Sequence, residues 1–511
     1  MNDDRKPSSS LRRPSSESSN SDDERGMMEH ILRHGSPPDM DTVIIEDSNG
    51  IPINLSQSKP QASSSSSSEN WITKLRSASA SVMGSIRPSS SSSHDEHKKK
   101  PQQHQHWKAK VWSTWNNLKY SSTWMADRSD EYTGNTIVFL LGRCYFPNRA
   151  VEQCGFDEFC ADYNSRIWIT YRTNFPPLLD TPSTTDCGWG CMIRTTQMML
   201  AQAILVKRLG RDWRYTKRKR SCVQGISTSQ LELNETKRQE LAILKLFEDN
   251  NSAPLGIHRF VSIAQREKGD KAIGSWYSPS EAVHIMKKCI NESSSALLGN
   301  IAMVLAIDGK IHIRDIEIET RNWSKHLILV VVARLGASEI NPVYVSHLKY
   351  IFSMERSLGV TGGKPNRSCW FIGCYDDHVI YLDPHVAHEY APIDVDGPVV
   401  DGETSGGNKR AKNPEKSYHC QLLSKMHFLD MDPSCAICFS FETREQFDRD
   451  MKEMNLHQYI DIDQGEEDGM KRVNDPLFCV VYGERRVETY DETTATVAEK
   501  EQANRQGFEL L

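Results

Sequence analysis

Polar and apolar residues divide the chain into a polar front, a patterned middle and a polar end. In the middle, Thr136 to Leu141 is a continuous apolar run that predicts a strand. Phe156 to Tyr171 reads as a helix ending before the break at Phe175-Pro176-Pro177, and Cys191 to Lys207, rich in Met, Leu, Ala and Gln, predicts a strong helix. Residues 235–250 and 278–291 follow as helices, the second opening on Ser278-Pro279-Ser280-Glu281, a capping pattern with proline in the first turn. Strand signals then take over. Ile301 to Ala306 and Lys310 to Ile316 flank Asp308-Gly309, which predicts a hairpin. Residues 328–335, 369–374 and 378–382 read as strands, and 444–455 as a closing helix. Helices first and strands after, without regular alternation, predict an α+β fold.

Outside the patterned region the texture changes. The first 100 residues hold 27 serines and little that could bury apolar surface, so residues 1–106 are expected to be a disordered extension. Arg12-Arg13-Pro14-Ser15 suits a basic-directed kinase or is an incidental match within that composition. Trp107, Val111, Trp112, Trp115 and Leu118 fall at helical spacing, an amphipathic stripe suited to packing on the folded domain or lying on a membrane surface. A domain over 107–485 is interrupted by a polar stretch, 392–417, expected to be a disordered loop, and is followed by a flexible tail, 486–511.

Charge and cysteine usage narrow the class. A net charge of −6 over 511 residues supplies no general field for nucleic acid. No run of 18 apolar residues exists, and the start lacks the apolar core of a secretory signal, so the protein is expected in the cytoplasm. Thirteen cysteines, an odd number at irregular spacing, fit free thiols in a reducing compartment.

One of those cysteines is differently placed. Asp186-Cys-Gly-Trp-Gly-Cys-Met-Ile-Arg194 brings a turn-rich stretch to a helix start. Amides at such a start favour an anion and depress a thiol's pKa, and Gly190 and Cys191 could offer an amide to an oxyanion. Cys187 competes, but only Cys191 abuts the helix. A thiolate nucleophile needs an imidazole and a group to orient it. His385 ends the apolar strand of Val379-Ile-Tyr-Leu-Asp-Pro-His385, with Asp383 two residues earlier. Cys435-Ala-Ile-Cys438 sits in a strand-like run with no second pair at ligand spacing, which favours buried thiols over zinc. The cluster Arg214 to Arg220 reads as a solvated face that could also approach an anionic membrane.

These motifs, with Trp115-Asn-Asn-Leu-Lys-Tyr120, Trp168-Ile-Thr-Tyr-Arg172, Gly210-Arg-Asp-Trp213, Gly359-Val-Thr-Gly-Gly-Lys-Pro-Asn366 and Met431-Asp-Pro-Ser434, make residues 107–485 resemble the autophagins, the autophagy-related cysteine proteases. Cys187 and the Trp115 segment resemble the longer C/D-type branch. The resemblance implies a papain-like fold with a small inserted subdomain. It also implies cleavage and delipidation of ubiquitin-like autophagy modifiers of the light-chain-three/GABARAP class. By that likeness Cys191 is the nucleophile, Asp383 the orienting carboxylate, His385 the base and Tyr171 a donor to the oxyanion. Trp276 covers the cleft, and Lys364 to Arg367 form a mobile loop that closes on it, with Pro365 facing Trp276 and Gly362 and Gly363 lending it freedom. Phe508-Glu-Leu-Leu511 resembles modifier-binding tails of this family, with Phe508 and Leu511 as anchors. No metal or organic cofactor is implied, no nucleic acid, and only transient membrane contact, through the substrate; a monomer is expected. A non-catalytic modifier-binding adaptor and a papain-like hydrolase acting on ubiquitin are the two alternatives.

Overall fold

The structure is a computed structural model, which describes residues 137–146, 153–215, 228–364, 367–395, 414–463 and 475–483. All lie within the unit Asn116–Leu511. The expectations for residues 1–106, for the Trp107 to Leu118 stripe, for the tail and for most of 392–417 lie outside the described residues.

In chain order the elements are β1 (Val138–Leu140), β2 (Arg143–Tyr145), α1 (Gln153–Asn164), β3 (Tyr171–Thr173), α2 (Cys191–Leu209), α3 (Thr228–Lys245), α4 (Ile257–Lys268) and α5 (Pro279–Asn291). They continue with β4 (Ile301–Ala306), β5 (Lys310–His312), α6 (Ile313–Thr320), β6 (His326–Arg334), α7 (Val343–Ser353), β7 (Ser357–Lys364) and β8 (Arg367–Tyr375). Last come β9 (His378–Leu382), β10 (Ala387–Glu389), β11 (Lys425–His427), β12 (Ser434–Phe441), α8 (Arg444–Leu456), β13 (Asp461–Asp463) and β14 (Cys479–Val481). The class is α+β, as expected.

The central sheet has the order β11-β9-β8-β7-β12-β6-β4, with β1 beside the far half of β8 and β2 beside β1. Its pairings are antiparallel except β4 with β6. Both faces are covered. On β6, Ile328 and Val330 join one apolar cluster, whereas Leu327, Leu329 and Val331 join the other, as the two-residue period of a strand requires. Cys435 and Cys438, three apart on β12, therefore face opposite clusters and cannot share a ligand. Both are buried free thiols.

α2 packs on one face of the sheet, against β7 and β8. Every residue from Cys191 to Leu205 is buried, so this helix has no solvent face until its last turn, where Lys207 and Arg208 emerge. Its N-cap, Gly190, brings no side-chain hydrogen bond, which leaves the helix-start amides without a side-chain partner. α5 begins as its sequence predicts, with a Ser278–Glu281 capping box and Pro279 in the first turn.

Four expectations are corrected. The first helix ends at Asn164, not Tyr171, because the chain turns through Ser165 and Arg166 to place Tyr171 in β3. Ile301 to Ile316 forms no hairpin: β4 pairs in parallel with β6, β5 pairs with β14 in a separate small sheet, and Ile313 starts α6. Gly362 and Gly363 are not a flexible loop but buried strand residues, paired with Cys369 and Ser368. Arg214 is not merely a solvated charge, since it binds the buried Asp162 at 3.0 Å and the Tyr145 hydroxyl at 3.1 Å. The remainder of that basic cluster, apart from Tyr215, lies outside the described residues.

Candidate active site

Cys191 is the first residue of α2, and the residue is 6% exposed at the floor of a cleft of about 190 Å³. Trp276, Tyr277, Gly362, Gly363, Lys364 and Ser368 are among the residues that line it. His385 stands across from Cys191 and hydrogen-bonds its sulfur. The other side of the ring is fixed. His385 Nδ1 donates to Asp383 Oδ1 at 2.5 Å, and the His385 backbone amide donates to the same oxygen at 3.0 Å. That leaves Nε2 for the sulfur. Asp383 Oδ2 accepts from Arg367, and the Asp383 carbonyl accepts from Trp168 Nε1 at 2.7 Å. The strand end that carries Asp383 is thereby anchored from two directions.

The electrostatics follow from this chain of contacts. Burial pushes the Cys191 thiol up, but hydrogen bonds from His385 and Ser368 and the charge of His385 outweigh it and bring the thiol down to about 7. Burial disfavours the charged His385 ring, but the Asp383 carboxylate beside it, with help from Cys191, raises it to about 9. Burial likewise opposes ionisation of Asp383, yet His385 and Arg367 hold it well below the usual carboxylate range. Each group therefore favours the charged form of the other, thiolate beside imidazolium, with the thiol titrating around neutral pH. Cys187 is the contrast. It packs beside Cys191 and Tyr171, but burial and the charge of Asp186 push its thiol up to about 12.

Tyr171 is fully buried, its ring in a T-shaped contact with that of His385 at 5.4 Å between centroids. β3 holds it there by pairing in parallel with β10, Ala387 opposite Tyr171, and its amide donates to the Pro384 carbonyl at 3.1 Å. Trp276 is 57% exposed at the cleft rim, so it is no core residue, and its Nε1 donates to the Gly188 carbonyl at 2.7 Å. Lys364 and Arg367 are opposed strand ends joined by Pro365 and Asn366, which lie outside the described residues. Of the two amides expected to serve an oxyanion, that of Gly190 is already bonded to the Asp186 carbonyl at 2.9 Å, which leaves the Cys191 amide. Phe508 and Leu511 also lie outside the described residues.

A buried ion cluster that sequence reading missed holds the turn before Cys191. Asp186 accepts from Arg194 Nε at 2.7 Å through one carboxylate oxygen and from the Arg172 amide, next to Tyr171, at 2.8 Å through the other. Arg194 also reaches Asp249 at 2.7 Å. A Cβ on Gly190 would stand 2.3 Å from Asp186 Oδ2, so only glycine lets this carboxylate sit under the turn. Charged residues at both ends of the Asp186–Arg194 segment were the available signal; nothing near Asp249 in sequence marks it as their partner. Cys369 is also close, its thiol grouped with Asp383 and His385, but burial and the Asp383 charge push it well above the usual thiol range.

A helix-start cysteine facing a histidine and carboxylate held just beyond a strand end, across a cleft on a mixed α+β scaffold, defines a cysteine protease of papain-like arrangement. The comparisons agree. Residues 156–453 match the Peptidase C54 catalytic domain. The chain is 58% identical over 97% of its length to cysteine protease atg-4.2 of Caenorhabditis elegans, covering 96% of that protein. It is 33% identical over 68% of its length to cysteine protease ATG4C of Xenopus tropicalis, covering 84% of it. It is also 30% identical over 77% of its length to human ATG4C, covering 93%. The chain belongs to the peptidase C54 family, the autophagins, and is a cysteine protease of autophagy. Among the described residues no helix is long and apolar enough to cross a membrane.

Proposed function

We propose that this protease cuts ubiquitin-like autophagy modifiers after a C-terminal glycine, both to mature their precursors and to release them from phosphatidylethanolamine. The observation that carries this reading is the unbroken hydrogen-bond chain from Cys191 through His385 to Asp383 at the floor of an open cleft. Cys191 is the nucleophile: its sulfur attacks the glycine carbonyl, and the charge passes to the carbonyl oxygen. The Cys191 amide and the Tyr171 hydroxyl serve that oxyanion. His385 then gives its proton to the departing amine, which leaves a thioester. It next takes a proton from the water that hydrolyses the thioester. Asp383 keeps the ring oriented throughout and stabilises it whenever it carries the proton.

The rim supports the substrate class. Trp276 on one side and Lys364 and Arg367, the facing ends of β7 and β8, on the other line a cleft that suits a residue without a side chain, which supports glycine at the cut. Phe508 and Leu511 would add affinity as an extended tail on the modifier. The working unit is residues 107–485, acting in the cytoplasm as a monomer that meets membranes through its lipidated substrate. The adaptor alternative is disfavoured by the charged Cys191–His385 pair, which binding alone does not need.

The test uses two electrophile-tipped probes, one built on an autophagy modifier and one on ubiquitin. The modifier probe should label Cys191 and the ubiquitin probe should not; equal labelling would overturn the substrate class. Cleavage of a modifier precursor and release of modifier from phosphatidylethanolamine vesicles are expected with the same enzyme. Deleting Phe508 to Leu511 should weaken modifier binding about tenfold, the scale of two lost apolar anchors. An unchanged affinity would remove the tail from the account.

A further inference from the structure

Ser368 shares the cleft with Cys191 and, like His385, hydrogen-bonds its sulfur. It is the second residue of β8, and strand alternation puts it on the same face as Trp370 and Ile372, the face on which α2 packs. Cys369 and Phe371 point to the other face. Half-buried in the cleft wall, Ser368 hydrogen-bonds Cys191 through both its hydroxyl and its backbone amide. Its position is fixed by the strand opposite. Gly363 pairs with Ser368, and a Cβ there would stand 2.3 Å from the Arg367 carbonyl and 2.8 Å from Ser368 Cα. Only glycine allows the two strands this approach. The neighbouring Arg367 binds Asp383, so two consecutive residues at one strand end touch both ends of the Cys–His–Asp chain.

We propose that Ser368 is a further catalytic residue, whose hydroxyl and amide donate to the Cys191 sulfur and hold it as an anion before attack. The inference rests on Cys191 being the nucleophile. No proton leaves Ser368 at any step. As the sulfur–carbon bond forms, the negative charge moves from sulfur to the carbonyl oxygen, and the two donations weaken. The thiolate then depends on His385 for only part of its stability. Hydrogen bonds to a charged acceptor are the stronger kind, so the loss of even the hydroxyl alone is measurable.

The other titratable and charged groups about the cleft are untouched by a change at Ser368. They are His385 and Asp383 between β9 and β10, Arg367 and Cys369 on β8, Lys364 on β7, Tyr171 on β3, Cys187 before α2, Tyr277 before α5, and Asp432 at the rim. The experiment follows thiolate absorbance and the rate of iodoacetamide alkylation, mapped to Cys191, from about pH 5 to about pH 9, with Cys191→Ser as the blank. Ser368→Ala should raise the midpoint by about one unit, giving about tenfold less thiolate and about tenfold slower alkylation well below it. The acid limb of kcat/KM should move with it. Ser368→Thr, which restores a hydroxyl, should return toward the parent. An unchanged midpoint in Ser368→Ala, or equal shifts in Ala and Thr, would overturn the role of the hydroxyl. A signal that survives in Cys191→Ser would instead refute Cys191 as the nucleophile and take this inference with it.

Discussion

Cys191→Ala should lose at least about 10⁴-fold in kcat on a modifier precursor, with substrate affinity kept within about twofold. The side chain removed is small and buried, so the fold loses little packing and the cleft keeps its shape. What disappears is a thiol with a depressed pKa, whereas Cys144, Cys187, Cys289, Cys369, Cys374, Cys420, Cys435, Cys438 and Cys479 are pushed up. Cys187 cannot take over. It packs beside the site, but its thiol is pushed up to about 12, so almost none of it is thiolate at neutral pH. Single-turnover cleavage and equilibrium binding, measured side by side, check this. Retained turnover in Cys191→Ala together with its loss in Cys187→Ala would move the nucleophile to Cys187.

The second large effect concerns stability. Arg194→Met should destabilise the protein by about 3–5 kcal/mol, because it strands two carboxylates inside the domain. Arg194 is fully buried, and its guanidinium binds Asp186 and Asp249, each at 2.7 Å. Without it the two acids face one another with no countercharge and without full solvation. They escape by taking up protons, so the loss should be larger at pH 8 than at pH 5; the sign follows because the variant's folded state binds protons that the unfolded chain releases. Denaturant melts at the two pH values measure this. Equal losses at both would mean that packing rather than charge holds the turn. The same variant should also slow catalysis, since Asp186 ties the Arg172 amide, and with it Tyr171, to the turn before Cys191.

Much of this site was legible in the chain. Cys191 at a helix start, and Asp383 and His385 at a strand end, are local features: a glycine-flanked turn and an apolar run stopped by proline. The structure brings the three side chains together. What stayed hidden depends on long-range register. Ser368 and Gly363 matter only because β7 and β8 place them opposite one another beneath α2, and β7, with four residues from Gly359 to Gly363 that are Gly or Thr, carries little strand propensity. The Asp308-Gly309 turn misled for a similar reason. Its local chemistry favours a hairpin, yet β4 gains more by pairing with β6 in the buried sheet, and β5 leaves for another partner. Asp249 shows nothing in its own neighbourhood; its role appears only when α2 passes beside it.

The pairing of β3 with β10 has a consequence for how the chain becomes an enzyme. Tyr171 and His385 meet through the pairing of strands far apart in the chain, and Trp168 reaches the Asp383 carbonyl across 215 positions of sequence. Contacts of such separation close late in folding, because the entropy of the intervening chain must be overcome first. Until they close, Cys191 has no imidazole beside it and keeps the sluggish thiol of any unfolded cysteine. A chain emerging from the ribosome therefore carries an unactivated Cys191 until the residues through β10 arrive. The rate at which Cys191 becomes alkylatable during refolding should serve as a clock for the closing of β3 on β10.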